Sequence, residues 1–160
     1  MKNGVKKGIE LEYLRIIKFY SIIVAVKGLE LPFPKISVDY TIVDLSSNIF
    51  EGEIPYVIGR LNSVIVLNLS HNKLNDRMPK ALGNLLKIES LDLSCNHLIG
   101  EIPQSLAFIT DLEVLNLSQN HLVGPIPDRT QFKTFEATSF EGNLGLCGFL
   151  LPKCEHRSAP

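Results

Sequence analysis

The chain has almost no net charge and no long apolar run, and both shortages exclude classes of function. Its 16 basic and 17 acidic residues leave a net charge of −1, so the composition does not favour binding to nucleic acid or to an anionic membrane surface. No stretch reaches the roughly 18 apolar residues that a membrane-spanning helix needs. The sequence also has no phosphate-cradling glycine loop and no kinase signature, and 160 residues leave no room for a kinase beside a second domain.

Cysteine is also scarce, and the three residues present cannot all pair within the chain. Cys147 and Cys154 are separated by six residues, and at that spacing, taken alone, both could be free thiols. Cys95 is left over. A free surface thiol is its simpler interpretation, and an intermolecular disulfide is the alternative.

The chain is rich, by contrast, in a repeat of 24 residues. Each copy contains the phrase Asp/Asn-Leu-Ser-x-Asn, whose final asparagines are Asn48, Asn72, Asn96 and Asn120. A fixed period of this length is typical of a solenoid, in which each unit buries its apolar side chains against its neighbours. The four predicted units are 40–63, 64–87, 88–111 and 112–135, and the last of them becomes irregular toward its end.

The middle of each unit alternates between apolar and polar residues, which is the period of a strand with one buried face. One such strand per unit predicts an α/β repeat fold, a solenoid with a parallel β-sheet on its concave face. In the second unit, the side chains expected to face the core are Leu67, Leu69, Leu74 and Leu82.

The four asparagines are expected to be structural. Where the chain turns off each strand, backbone N–H and C=O groups face the core without partners, and a short amide can satisfy both kinds of group. The register therefore predicts a ladder of hydrogen bonds inside the coil, with Asn120 as its last rung.

Prolines form a second column, seven residues after the asparagines, at Pro55, Pro79, Pro103 and Pro127. Because proline fixes φ and restricts the residue before it, this column predicts an extended segment that leads into the outer wall of the coil. We expect Gly52, Gly100 and Gly124 to allow a tight approach of the backbone.

Several phrases resemble a known family. The Ile-Pro pairs at 54–55, 102–103 and 126–127, each with a glycine two residues before it, resemble the plant-specific leucine-rich repeat. Longer phrases are similar to the last repeats and C-terminal cap of plant receptor-like proteins, which are disease-resistance-type cell-surface receptors without a kinase domain. These phrases are 50–55, 84–94, 131–135 and 139–148, and residues 20–31 resemble the segment that precedes those repeats.

The resemblance implies a leucine-rich-repeat solenoid that binds proteins and carries no catalytic residue. It also implies the membrane-proximal part of a plant immune or developmental receptor ectodomain, on the extracellular face of the plasma membrane. The implied partner is a co-receptor kinase of the leucine-rich-repeat type, and Cys147 and Cys154 resemble the disulfide that seals such ectodomains. The chain is similar to a C-terminal fragment or truncated product of such a receptor. The alternatives are a secreted inhibitor of the polygalacturonase-inhibiting type and a truncated product without an independent role.

Positions beside the inward leucines define the candidate partner-binding face. Its residues are Glu89, Asp92, Glu113, Asn116 and Gln119. A serine column at Ser46, Ser70, Ser94 and Ser118 is expected to share this exposed face. The strip is mildly acidic and lacks Trp, Tyr and Arg, the residues that dominate interface hot spots, so a solvated sheet is the simpler interpretation.

Asn68 and Asn116 each begin an Asn-Leu-Ser sequon for N-glycosylation, and both are expected to project from the concave face. The repeat phrase itself creates a sequon wherever its first residue is asparagine, so coincidence is a serious alternative. In a secreted plant protein we expect at least one of the two to carry a glycan, which would block part of the face from a flat partner.

Neighbouring histidines and cysteines do not predict chemistry. His71 and Cys95 share a column in adjacent units, but a nucleophile pair also needs an orienting group, an oxyanion hole and a pocket. His97 and His121 share another column, whose other members, an isoleucine and a lysine, add no metal ligand. We therefore expect no enzyme activity, no metal site and no cofactor.

The two ends of the chain differ from the repeats, as solenoid ends do. In the N-terminal segment 1–39, residues 5–19 have helical spacing, and residues 20–31 alternate as two short strands that would cover the first repeat. Lysines before an apolar stretch would fit a signal peptide, but charges interrupt the stretch and no clear cleavage site follows. Residues 136–154 are predicted to form the C-terminal cap, and 155–160 a tail.

Overall fold

The computed structural model of the protein describes residues 24–26, 29–31 and 41–155. The helix predicted over 5–19 and residues 156–160 of the predicted tail lie outside the described residues. The described part is a solenoid with one concave-face strand in each of the four repeats, which confirms the predicted fold class.

Each turn of the solenoid contributes short strands and a short outer helix. The strands, in chain order, are β1 Val24–Val26, β2 Leu29–Leu31, β3 Thr41–Asp44, β4 Glu51–Gly52, β5 Val64–Asn68, β6 Lys73–Leu74, β7 Ser90–Asp92, β8 Ile99–Gly100, β9 Val114–Asn116, β10 His121–Pro125 and β11 Gly145–Cys147. The short helices, all of the 3₁₀ type, are Tyr56–Arg60, Lys80–Asn84, Gln104–Phe108, Phe132–Thr134 and Ala137–Ser139.

The concave sheet consists of β3, β5, β7 and β9, in that order and all parallel. Its register places Leu67 opposite Leu91 and Leu91 opposite Leu115, so equivalent side chains stack from repeat to repeat. The predicted core leucines of the second unit are all buried, namely Leu67, Leu69, Leu74 and Leu82. No unit could bury them alone, so the interfaces between repeats hold the fold together.

The asparagine ladder runs through the interior beside these leucines. Asn96 is buried, and its Nδ2 donates to the carbonyl oxygens of Leu69, Leu93 and Ser94 at 3.0 to 3.2 Å. Its Oδ1 accepts a hydrogen bond from the Leu74 backbone N–H at 3.0 Å. The equivalent asparagines one repeat before and one repeat after make the same set of bonds. Each side chain therefore satisfies backbone groups of its own repeat and of the repeat before it.

The two ends of the ladder differ. Asn48 is exposed and donates to carbonyl groups of its own repeat. At the other end, the prediction that Asn120 is the last rung is wrong. Asn143, in the cap, donates to the carbonyl oxygens of Leu117 and Phe140, both at 2.9 Å, and forms a fifth rung.

The prolines begin the outer segments, as their fixed φ predicts. Pro55, Pro79 and Pro103 have extended backbones, and each directly precedes a 3₁₀ helix of five residues. The outer layer of this repeat is therefore 3₁₀ in the described residues, which contain no α-helix. After Pro127 the pattern changes, because the next 3₁₀ helix begins later, at Phe132.

The expected tight approach is wrong for Gly52, where an added Cβ would meet nothing within 4 Å. At Gly100 and Gly124 an added Cβ would lie 3.0 Å from the side chains of Arg77 and Glu101. All three glycines have a left-handed backbone, with φ values of +94°, +76° and +83°, which also favours glycine. A closer approach occurs at Gly59 and Gly83, where an added Cβ would lie 2.5 and 2.4 Å from the next repeat.

A column of non-glycine residues also adopts left-handed backbone conformations, which the sequence did not predict. Its members have φ values of 54° to 56° and each immediately precedes a ladder asparagine: Ser47, His71, Cys95 and Gln119. This conformation turns the chain sharply off the strand, and L-residues adopt it at some cost in energy.

Two further parallel sheets flank the concave one and were not predicted. One pairs β4 with β6, and the other has the order β11, β10, β8. Because β11 belongs to the cap, the second sheet attaches the cap to the fourth repeat. Buried Phe132, Phe135 and Phe140 pack together beneath it, with ring centroids 5.6 and 6.2 Å apart, and close the end of the core.

At the opposite end, β1 and β2 form an antiparallel hairpin with Val24 opposite Leu31. Strand β1 lies next to β3, the first strand of the concave sheet. Among the described residues, no helix has the length and apolar character required to cross a lipid bilayer.

Candidate protein-binding surface

Two columns of side chains line the concave face, because the register of the parallel strands repeats from one unit to the next. The first column contains Ile42, Val66, Ser90 and Val114, and the second contains Asp44, Asn68, Asp92 and Asn116. In each strand, one residue lies between the two columns, points into the core and is buried; these residues are Val43, Leu67, Leu91 and Leu115. The face is therefore mixed, with small apolar groups beside polar ones.

The second column is held in place by a repeated hydrogen bond. In every repeat the Oδ1 atom of the Asp or Asn accepts the backbone N–H of the serine two residues later, at 2.9 to 3.1 Å. This is the local turn that short Asx side chains form readily. It fixes the orientation of the Asp92 carboxylate and the Asn116 amide before any partner arrives.

The serine column is less exposed than predicted. Ser70 and Ser94 are each only 4% exposed, so they belong to the edge of the core and cannot contact a partner. The Ser94 hydroxyl donates to Asp92 Oδ1 at 2.7 Å, and the Ser118 hydroxyl donates to Asn116 Oδ1 at the same distance. These serines fix the side chains of the second column by hydrogen bonds. The surface that a partner can reach therefore consists of the two columns and the residues just before each strand.

The five predicted partner-binding residues occupy three positions on this face. Glu89 and Glu113 are exposed just before strands β7 and β9, with the Glu113 backbone N–H bonded to the Glu89 carbonyl at 2.8 Å. Asp92 and Asn116 end those strands and are half-buried. Gln119 lies apart from the four, exposed in the left-handed turn after β9, and its side chain lies against Gly142 of the cap.

Both sequon asparagines lie in the second column. Asn68 is half-buried between the Asp44 and Asp92 positions of the adjacent strands, whereas Asn116 lies on the last strand of the sheet. The turn bonds engage the Oδ1 of each asparagine and not its Nδ2, the atom to which a glycan would be joined. Neither asparagine projects as freely as the sequence predicts.

The cap adds no strand to the concave sheet, but its backbone is hydrogen-bonded to the segment that directly follows β9. The backbone N–H groups of Leu117 and Gln119 donate to the carbonyl oxygens of Ser139 and Glu141, both at 2.7 Å. Farther along, Cys147 and Cys154 form a disulfide with Cα atoms 4.9 Å apart. The last two repeats and the cap therefore share one continuous backbone network.

Cys95 is a free, half-buried thiol in the left-handed column that also contains His71. The rings of His97 and His121 stack, with centroids 5.7 Å apart and planes 13° from parallel. In the described part of the chain, no group of three or more His, Cys, Asp or Glu side chains could hold a metal ion.

Sequence reasoning missed Asn143 for an identifiable reason. In the repeats, the ladder asparagine precedes the next buried residue by two positions, as Asn120 precedes Leu122, but Asn143 precedes Leu146 by three. Asn143 also lies 23 residues after Asn120, one residue short of the 24-residue period. The signal that could have found it is an asparagine within one residue of the expected position, since Asn143 then bonds the Leu117 and Phe140 carbonyls as a ladder asparagine does.

Comparisons with known proteins agree with this architecture. A family model described as a leucine rich repeat matches residues 66–122. Over 142 residues, or 88% of the chain, the sequence is 68% identical to Receptor-like protein 33 of Arabidopsis thaliana. The chain spans 16% of the length of that curated relative.

Two solved structures are similar to this fold. The first is the ectodomain of the Arabidopsis thaliana receptor kinase GASSHO1/SCHENGEN3 in complex with CASPARIAN STRIP INTEGRITY FACTOR 2, with 43% identity and a TM-score of 0.68 over 72% of this chain and 14% of that one. The second is the Arabidopsis receptor kinase HAESA in complex with the peptide hormone IDA and the co-receptor SERK1, with 31% identity and a TM-score of 0.51 over 71% of this chain and 23% of that one.

Proposed function

We propose that this chain, which contains leucine-rich repeats and is similar to a plant receptor-like protein, is a non-catalytic module that binds another protein. The observation that carries the proposal is the backbone hydrogen bonding between the segment after β9 and the cap. Backbone hydrogen bonds from Leu117 and Gln119 to the cap join the two regions into one rigid surface. A rigid surface loses little conformational entropy when a partner binds.

The finer proposal is that the partner is a co-receptor kinase of the leucine-rich-repeat type. Two similarities support it: the high identity to a receptor-like protein, and the likeness to a receptor ectodomain solved with the co-receptor SERK1. On this proposal the module acts at the extracellular face of the plasma membrane, as part of a receptor ectodomain.

The size of the surface decides where the partner must bind. Four strands at about 4.8 Å spacing span only about 14 Å from the first to the last. A standard interface buries about 800 Å² on each partner, so the concave strip alone is too narrow. We therefore propose that the interface also includes the cap, whose backbone is hydrogen-bonded to the segment after β9.

The test is a titration of the purified chain with the SERK1 ectodomain, followed by biolayer interferometry. We expect weak, micromolar binding that Glu113→Lys reduces about fivefold, since Glu113 is exposed beside the last strand. The matched control is Arg60→Glu, a charge reversal at an exposed position on the outer helix of the first repeat, which should leave the affinity unchanged. A chain that circular dichroism shows to be folded, yet does not bind SERK1, would overturn the proposal.

A further inference from the structure

A tight turn in the cap exposes two large apolar side chains. We call residues 148–151 the cap turn; the Leu151 backbone N–H donates to the Gly148 carbonyl at 2.7 Å and closes it. Phe149 and Leu150 occupy the two corners of the turn and are 42% and 58% exposed. Adjacent apolar side chains at the tip of an exposed turn are unfavourable in water, so their presence needs an explanation.

The backbone of the cap turn gives a second, independent reason to look for a function. Leu150 has a φ of 63°, in the left-handed region that favours glycine, and it lies outside the repeating column of left-handed residues. A bulky side chain at such a position is strained, and such strain is concentrated at binding and catalytic sites. Glycine would remove the strain but would also remove the exposed apolar group.

The cap turn is held rigidly in place. Its first residue, Gly148, donates its backbone N–H to the Pro152 carbonyl at 2.9 Å. The disulfide between Cys147 and Cys154 encloses the whole turn, and β11 anchors Cys147 beside Pro125 of β10. A preorganised apolar tip binds with a smaller entropy cost than a mobile one.

We propose that the cap turn is an apolar anchor that inserts into a cleft of the co-receptor ectodomain. The inference rests on the proposed function and specifies which part of the surface contributes most of the affinity. Interfaces commonly depend on a few buried aromatic and apolar anchors, while the surrounding polar contacts contribute little. The concave strip exposes Val114 but carries no aromatic side chain in its two columns, and the cap turn supplies one in Phe149.

The charge of the cap favours a protein partner over a lipid surface. Residues 136–155 contain three acidic residues and one basic residue, so an anionic bilayer would repel them. A contact between two copies of the chain through this turn would bring two acidic caps together, and like charges disfavour it. The fitting partner is therefore a protein with an apolar cleft and basic residues at its rim.

The experiment compares four chains, each titrated with the SERK1 ectodomain by biolayer interferometry: the unaltered chain, Phe149→Ser, Leu150→Gly and the control Leu86→Ser. Leu86 is 68% exposed in the second repeat and so matches Leu150 in type and exposure. We expect Phe149→Ser and Leu150→Gly to weaken binding at least about tenfold, and Leu86→Ser to have no effect. Thermal melts run in parallel should show that Leu150→Gly is at least as stable as the unaltered chain, because glycine relieves the strained φ.

Each other outcome contradicts a specific part of the inference. If the unaltered chain binds SERK1 and both turn variants bind equally well, the cap turn is not the anchor, although the proposed function stands. If the unaltered chain does not bind SERK1, both proposals are overturned. If the chain instead sediments with vesicles of phosphatidylcholine and phosphatidylserine, and Leu150→Gly abolishes this, the cap turn binds lipid and the inference is wrong.

Discussion

The backbone N–H of Leu122 donates a hydrogen bond to the Oδ1 atom of Asn143 at 3.0 Å, across 21 residues of chain. The same bond recurs in the repeats, where the Leu98 N–H donates to Asn120 Oδ1 at 3.0 Å. The cap is therefore bound to the fourth repeat by the interaction that binds the repeats to each other. For this reason we expect the replacement of a ladder asparagine to lower the stability of the repeats, and the replacement of Asn143 to weaken the attachment of the cap.

Replacing Asn96 with alanine should lower the free energy of unfolding by about 3 kcal/mol, because several buried backbone groups would lose their partner at about 1 to 3 kcal/mol each. Chemical denaturation followed by circular dichroism measures the change. The control is Asn48→Ala, since Asn48 is exposed and its freed backbone groups can bond to water. An equal loss in the two variants would contradict the buried ladder as its cause.

Replacing Asn143 with alanine should loosen the cap while the first repeats stay protected. The Leu117 and Phe140 carbonyls and the Leu122 N–H would lose their partner, at a cost of about 2 to 3 kcal/mol. Hydrogen–deuterium exchange should then rise in 117–122 and 139–147 but remain unchanged in 64–74. Uniformly faster exchange along the chain would show instead that the cap and the repeats unfold as one unit.

Replacing Ser47 with glycine should raise the free energy of unfolding by up to about 1 kcal/mol. Ser47 is exposed with a φ of 56°, so glycine removes the cost of the left-handed backbone without removing a buried contact. The neighbouring Ser46 has no positive φ, so Ser46→Gly should be destabilising. Thermal melts of the two variants give the comparison, and a loss of stability in Ser47→Gly would show that its hydroxyl matters more than its backbone.

Expression in plant cells should yield a chain that carries an N-glycan on Asn68, Asn116 or both. Each belongs to an Asn-Leu-Ser sequon, and the turn bonds engage its Oδ1 and not its Nδ2. Intact-mass measurement of the Asn68→Gln and Asn116→Gln variants assigns the occupied site, with the doubly substituted chain as the reference. No mass difference between the unaltered and double variants would mean that both sequons are products of the repeat phrase alone.

The sequence predicts the repeating part of this protein well, because a period needs no knowledge of distant contacts. Each repeat contacts the next through the same positions: Leu67 lies opposite Leu91, and Asn96 bonds the Leu69 carbonyl of the repeat before it. The alternation within a single strand already determines which side chains face the core. The fold class and the interior ladder follow from these positions. The exposure of the binding face was predicted less well. Ser70 and Ser94 are buried, but the sequence pattern does not distinguish them from polar residues that face the solvent.

The non-repeating contacts depended on tertiary structure. Asn143 breaks the register by one residue, and only the folded cap brings it beneath Leu122. The left-handed φ of Leu150 and the exposure of Phe149 depend on how the cap closes, which no periodic pattern encodes. The sequence by itself determined the coil, because every repeat sees the same neighbours at the same spacing. Only the tertiary structure decided how the coil ends and what its cap exposes, because those contacts join residues that have no equivalents elsewhere in the chain.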